Sequence, residues 1–333
     1  MRTIKIVLIG SFIVAGLAGC RQSVPKPTER RIVCSTFPVW LLTRNVAQGR
    51  TGIRVELLLP AGLGCPHDYV VTPQDARKIE EADVLVVNGL GLDDFAAERF
   101  RKAKPEATVI VATDGVADDL DHHRHGSDGA GPHTADDDGA TARHEHEHDG
   151  ETAEAHSTNA HLFSSPRLAG RMARVIATGL ASVDPEGAAL YRDNAAGLAR
   201  RLDALAEDIR AAVAALPNKR IVAQHDILDA FAADAGLEIV GYIHVHAGHE
   251  PSAQEIIALV RTARQRKAAA VMIEPQYSAR IGQTIAREAG IPIGMLDPVA
   301  SGPDDAPLDY YETVMRRNIE ALRKALAPPS ARH

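Results

Sequence analysis

The chain has 333 residues, 45% of them apolar and only 4% aromatic, and a formal net charge of −7. That length allows two compact lobes. Residues 114–154 hold thirteen carboxylates against two arginines, a charge of −11, so the remainder carries +4; no basic groove with interleaved aromatics is left to argue for nucleic acid.

The opening twenty residues, MRTIKIVLIGSFIVAGLAGC, read as a leader rather than as fold. Arg2 and Lys5 precede an apolar core from Val7 to Leu17, too short for a span of about 20 residues. Its end, Leu17-Ala18-Gly19-Cys20, resembles the bacterial lipobox, which implies lipidation of Cys20 and a membrane anchor, with an ordinary cleaved leader as the alternative. Residues 21–30 are polar and proline-containing, as a tether should be. Two cysteines remain, Cys34 and Cys65; outside the cytoplasm they could form a disulfide, or stay as two separate buried thiols.

From Arg31 onward, strands and helices alternate. Short β-rich runs at Arg31–Thr36, Val55–Leu59, Val84–Val87 and Val109–Ala112 are separated by helical patterns. Thr72-Pro73-Gln74-Asp75 looks like an N-cap followed by proline in the first helical position. This is the pattern of a parallel sheet with helices on its faces. Then comes a stretch, Asp114–Glu154, with no helical or strand period. In it and just past its end lie His122, His123, His125, His133, His144, His146, His148 and His156. It buries too little apolar surface to offset the entropy of ordering, so it is expected to be a mobile, weakly metal-binding accessory loop.

Ser165-Pro166 opens the next helix. From Asp184 to Leu216 an amphipathic period runs unbroken, long enough at 1.5 Å per residue to reach across two lobes. The second half repeats the alternation, with strands at Arg220–Ala223, Ile239–Ile243, Ala269–Ile273 and Ile291–Leu296, and a closing helix at Tyr310–Leu326. The expected divisions are a leader (1–20), a tether (21–30), a first lobe (31–183), a linker helix (184–216) and a second lobe (217–333).

Ligands in open α/β sheets bind beyond the carboxyl ends of the strands. His67, His225, Glu274 and Asp297 all follow strands closely, and His161 sits in the segment leading to the next helix. Singly, each has an ordinary explanation: a satisfied polar histidine, a turn aspartate before Pro298, a locally paired glutamate before Pro275. Jointly they could meet only in a cleft between the two halves. His244, His246 and His249 form a further cluster, readable as a secondary zinc site or as a solvent-facing polar loop.

Several motifs also carry a family resemblance. Gly64-Cys65-Pro66-His67-Asp68-Tyr69, Thr72-Pro73-Gln74-Asp75, Glu81-Ala82-Asp83 and Asn88-Gly89-Leu90-Gly91-Leu92 closely resemble the metal-binding signature of the zinc/manganese-specific solute-binding lipoproteins of ABC transporters, the cluster A-I family. Ala160-His161-Leu162, Gln224-His225-Asp226, Glu250-Pro251-Ser252, Glu274-Pro275-Gln276, Leu296-Asp297-Pro298 and the closing helix with Tyr311, Met315 and Asn318-Ile319 match too. Asn159-Ala160 departs from the family's Asp-Pro before its histidine. The resemblance implies two Rossmann-like α/β lobes with parallel sheets, joined by one long helix, with the metal site between them. It implies His67, His161, His225 and Asp297 as ligands, Glu274 as an auxiliary carboxylate, and a permease with its ATPase as partners of a monomeric receptor that is not an enzyme.

Three imidazoles and one carboxylate suit Zn²⁺, whereas manganese and iron favour more carboxylates. Four protein ligands leave no open position for water, which favours carriage over catalysis. The expected function is extracytoplasmic capture of Zn²⁺ for import; the alternatives are a manganese or iron receptor, an envelope zinc hydrolase using Glu274 as base, and a surface adhesin or metal buffer.

Overall fold

The computed structural model describes residues 29–64, 66, 69–116, 159–244 and 250–328. The leader with Cys20, the tether up to residue 28, every histidine of the His-rich stretch, Cys65, His67, His246 and His249 lie outside the described residues.

The first lobe runs β1 (Arg30–Cys34), α1 (Phe37–Val46), β2 (Ile53–Leu57), α2 (Pro73–Glu81), β3 (Val84–Val87), α3 (Asp94–Ala103) and β4 (Thr108–Val111). Its sheet is wholly parallel in the order β2-β1-β3-β4. A 3₁₀ turn (Leu162–Ser164) leads into α4 (Pro166–Val183), and another (Pro185–Gly187) into α5 (Ala188–Ala214). The second lobe follows as β5 (Arg220–Ala223), a 3₁₀ turn (Asp226–Leu228), α6 (Asp229–Ala235), β6 (Glu238–Tyr242), α7 (Ala253–Gln265), β7 (Ala270–Ile273), α8 (Ala279–Ala289), β8 (Ile293–Met295) and α9 (Tyr310–Leu326). Its sheet, again wholly parallel, has the same order, β6-β5-β7-β8.

Helices cover both faces of each sheet, so the strands read as nearly continuous apolar runs. The strand period of two divides their side chains between two layers. Ile32 and Cys34 of β1, with Ile221 and Ala223 of β5, face one central apolar cluster that also takes in Leu198, Leu202 and Leu205 of α5. Val33 of β1 faces an outer cluster with Ile79 and Phe100. Val222 of β5 faces the equivalent cluster with Val260 and Ile285. The central cluster passes from lobe to lobe through α4 and α5, so the long helix is buried between them rather than strung across solvent.

The 27-residue α5 is shorter than the span from Asp184 to Leu216. Asp184 sits outside the helix with its carboxylate taken by Arg50 Nε and Nη2 at 2.7 and 2.8 Å and by the Tyr191 hydroxyl. These bonds, Arg50 first, hold Asp184 down at a pKa of about 2. The helix N-terminus at Thr72-Pro73 forms as the sequence indicated: Thr72 accepts from Asp75 N–H, and Asp75 accepts in return from Thr72 N–H. Cys34 is a free thiol, fully buried, and burial pushes it up to a pKa of about 12. It faces the central core; Cys65, the other half of the considered bridge, lies outside the described residues. No described helix is long and apolar enough to cross a membrane.

Candidate metal centre

In both sheets the chain runs outward from the first strand to the second and then returns across it to the third. The crevice beyond the first and third strand ends is where such sheets place ligands. In the second lobe those ends carry His225, two residues past β5, and Glu274, immediately past β7. Pairing of the two strands sets their termini side by side. His225 Nδ1 lies 2.7 Å from Glu274 Oε1, and Gln276 Nε2 donates to Glu274 Oε2 at 2.6 Å. Burial raises the Glu274 carboxyl above its ordinary pKa; His225 opposes that shift, and the nearby charge of Asp297 adds to it. Because a carboxylate accepts, the imidazole proton belongs on Nδ1 and the lone pair on Nε2. That Nε2 is buried and has no hydrogen-bond partner. A buried polar atom left in that condition costs about 1–3 kcal/mol, which makes it a natural place for a metal to bind.

His161 is 2% exposed and meets His225 edge to face, with ring centroids 5.9 Å apart. Its backbone N–H donates to Asn159 Oδ1 at 2.9 Å, and its Nδ1 lies 2.8 Å from the same oxygen. An amide oxygen only accepts, so here too the proton is on Nδ1 and the lone pair on Nε2. The segment is pinned on every side. Asn88 Nδ2 donates to Ala160 O at 2.9 Å, Ser164 Oγ to His161 O at 2.9 Å, and Tyr311 of α9 to Phe163 O at 2.7 Å.

Asn88 is itself held by a buried carboxylate. Asp93 accepts from Asn88 N–H at 2.6 Å, Gly89 N–H at 2.9 Å and the Ser35 hydroxyl. Burial raises Asp93 while these donors hold it down. Gly89 has φ +93°, and a Cβ there would come 2.4 Å from Val111 Cγ1, so the turn after β3 has room only for glycine. The Asn88-Gly89-Leu90-Gly91 motif thus acts on the site indirectly, by fixing the backbone that carries His161.

Asp297 follows β8 by one intervening residue, Leu296, rather than directly. Asn318 of α9 grips its peptide twice, accepting from Asp297 N–H at 3.0 Å and donating to Asp297 O at 2.8 Å. Val299 N–H donates to Asp297 Oδ1 at 2.8 Å from a backbone at φ +62°, a costly conformation for a β-branched residue. Burial raises the Asp297 carboxyl and the Val299 N–H opposes it. The loop ending three residues before His67 is tied to this region. Gly302 N–H donates to Ala61 O at 2.9 Å, and a Cβ on Gly64 would lie 3.2 Å from Gln276 Cγ.

Among the described residues, one group of candidate ligand atoms lies mutually within 4.8 Å: His161, His225 and Asp226. Asp297 is outside that group, and His67 is outside the described residues. The structure therefore brings two of the four expected ligands together. Asp226 Oδ1 lies 3.8 Å from His161 Nδ1, the atom already bonded to Asn159, so its carboxylate flanks the protonated side of that ring. His244 stacks on Tyr277 with centroids 5.5 Å apart, and Tyr277 packs against His225 at 5.4 Å. His244 thus borders the site through an aromatic ring. Sequence reasoning missed Asp93, Asn159, Asp226 and Tyr277; the one available signal was the polar residue two positions before His161.

Two neighbouring imidazoles, each with its Nδ1 proton held by an acceptor behind it, form a preorganised nitrogen donor set for a borderline-soft divalent cation. The comparisons agree with that chemistry. The family described as zinc-uptake complex component A, periplasmic (ZnuA) matches residues 32–325. The chain is similar to the zinc-binding protein AdcA of Streptococcus pyogenes serotype M3, 27% identical over 324 residues, 95% of this chain and 59% of that protein. It is also similar to the high-affinity zinc uptake system protein ZnuA of Bacillus subtilis, 23% identical over 331 residues, 95% of this chain and 97% of that protein. A crystal structure of ZnuA superposes with a TM-score of 0.68 at 25% identity, covering 90% of this chain and 99% of that one. The chain spans about three-fifths of the length of the AdcA relative.

Proposed function

This chain belongs to the periplasmic zinc-uptake component A family, and from that premise we propose that it is an extracytoplasmic receptor which captures one Zn²⁺ between its lobes and delivers it to an ABC permease and its ATPase. Zinc is the cargo, held by His67, His161, His225 and Asp297, with Glu274 behind His225 as an auxiliary carboxylate. The observation that carries the reading is the buried, unpartnered Nε2 of His225 beside buried His161. Each ring has its other nitrogen bonded to a polar partner. Such partners fix tautomer and orientation and raise ligand basicity. His161 and His225 are buried and Asp297 is partly so, surroundings that suit a small enclosed ion and favour carriage over hydrolysis. Cys20 is the proposed lipid attachment point, and the histidines of the 114–156 stretch form an accessory, weaker reservoir.

Competition with a zinc chelator tests this. One tight site per chain is expected, weakened at least a hundredfold by His161→Ala, His225→Ala or His67→Ala. Zinc-limited growth should need the chain together with a permease. Tight binding unchanged by all three substitutions would overturn the assignment.

A further inference from the structure

Asn159 makes four hydrogen bonds at once. Its Oδ1 faces His161, at 2.9 Å from the backbone nitrogen and 2.8 Å from Nδ1. Its Nδ2 donates to Asp226 O at 2.8 Å and to Asp229 Oδ2 at 3.2 Å. Asp229 is fixed in turn by the Tyr242 hydroxyl, which donates to its other oxygen at 2.6 Å. The amide can therefore sit only one way round. Reversed, its NH₂ would oppose the His161 peptide N–H and its oxygen would oppose two acceptors.

The partners lie on different lobes. Asn88, at the end of β3 in the first lobe, holds the segment of Asn159 and His161 through Ala160 O. Asp226 and Asp229 begin the turn and helix that follow β5 in the second lobe. One side chain thus links the position of the second lobe to the proton position on a first-lobe imidazole.

We infer that Asn159 is a positioning residue that couples docking of the Asp226–Asp229 turn to the ligating state of His161. With the turn docked, the amide is held, Nδ1 keeps the proton and Nε2 faces the ion. When the turn withdraws, the amide loses both acceptors and its fixed orientation, His161 loses its set tautomer, and the ion loses a properly presented ligand. A carboxylate at position 159 would serve the imidazole but stand against Asp229 at hydrogen-bond distance, so the neutral amide is what allows both contacts. The inference rests on the reading of His161 as a zinc ligand.

The test is an exchange of donor and acceptor in the full chain, using Asn159→Asp, Asp229→Asn and the double variant. Two readouts serve: the rate of zinc release into excess chelator, and the ¹⁵N ring shifts of His161 in the metal-free protein. Each single variant should release zinc about tenfold faster or more, the scale expected when the partner behind a ligating histidine is lost. Asp229→Asn replaces the carboxylate that anchors the Asn159 amide by a weaker amide that must also serve the Tyr242 hydroxyl, and should shift part of the His161 population to a proton on Nε2. The double variant pairs a carboxylate at 159 with an amide at 229, removing the repulsion between the two side chains though not that with Asp226 O, and should release zinc more slowly than the worse single variant with the Nδ1–H signature restored. A double variant as fast as the worse single one, or an unchanged tautomer in Asp229→Asn, overturns the coupling. Failure of the site assignment reads out separately: His161→Ala would then leave tight binding intact.

Discussion

His225 and Glu274 sit at the ends of neighbouring parallel strands with 2.7 Å between imidazole Nδ1 and carboxylate Oε1, and both side chains are almost wholly removed from solvent. Burying a carboxylate is costly unless it is bonded on both oxygens, and here His225 takes one and Gln276 the other. In the proposed site Glu274 supports the ring and is not itself a ligand. It fixes the ring so that Nε2 alone is presented. Glu274→Gln keeps the shape and removes the charge, so zinc affinity should fall about 10- to 100-fold while the fold is kept. Chelator competition alongside circular dichroism measures both, and an affinity within twofold of the parent would remove Glu274 from the account.

Asn318 does for Asp297 what Glu274 does for His225, but through the backbone. Both bonds to the Asp297 peptide come from one buried amide on α9. Asn318→Ala leaves that peptide unpaired and frees the strained Val299 turn. Thermal unfolding should show destabilisation of about 1–3 kcal/mol, and zinc affinity should drop about tenfold. Added zinc should raise the midpoint of the variant by less than it raises that of the parent. An equal rise in both proteins would show that Asp297 does not contribute to binding.

Asp184 makes stability pH-dependent in a defined window. Its folded pKa of about 2 lies below the ordinary 3.8, chiefly through Arg50. A carboxyl depressed in the folded state contributes stability above its unfolded pKa, and that contribution is lost as pH falls through the folded value. The parent should therefore unfold at a higher temperature than Asp184→Asn at pH 5, with the gap closing between about pH 4 and pH 2. A gap that persists at pH 2 would mean that the substitution acts through packing around Tyr191 instead.

The His-rich stretch should prove dispensable for tight binding. Val116 is buried in the central core, so a deletion that respects the fold begins after it, at 117, and runs to 156. Equilibrium dialysis should find one tight zinc retained and the weaker, multiple zincs lost. If the tight site disappears with the deletion, the centre lies in that stretch and not between the lobes.

Much of this architecture was legible because the physics is local. Alternating apolar runs and helical periods announced two parallel-sheet lobes, and Thr72-Pro73 announced the start of α2. The strand-end rule placed His225 and Glu274 correctly, since it depends only on where a strand stops. What stayed hidden depends on long-range partners. Nothing near Asp93 in sequence says that Ser35, 58 residues away, will donate to it. Nothing near Asn159 announces Asp229, 70 residues on. The absence of the family's Asp-Pro before His161 read only as a departure, yet the structure places an amide there with donor and acceptor both used. Cys34 could not be assigned to bridge or core from spacing alone; the pleat of β1 turns it inward. The start of α5 slipped to Ala188 because Asp184 is drawn to Arg50, a contact made across the first lobe.

The most direct measurement of the central claim is zinc K-edge X-ray absorption on protein loaded with one equivalent of Zn²⁺. The account predicts a four-coordinate nitrogen and oxygen shell, with Zn–N near 2.0–2.1 Å and the multiple-scattering signature of about three imidazoles. His161→Ala and His225→Ala should each remove one imidazole. A shell without imidazole scattering, or one unchanged by both substitutions, would contradict it.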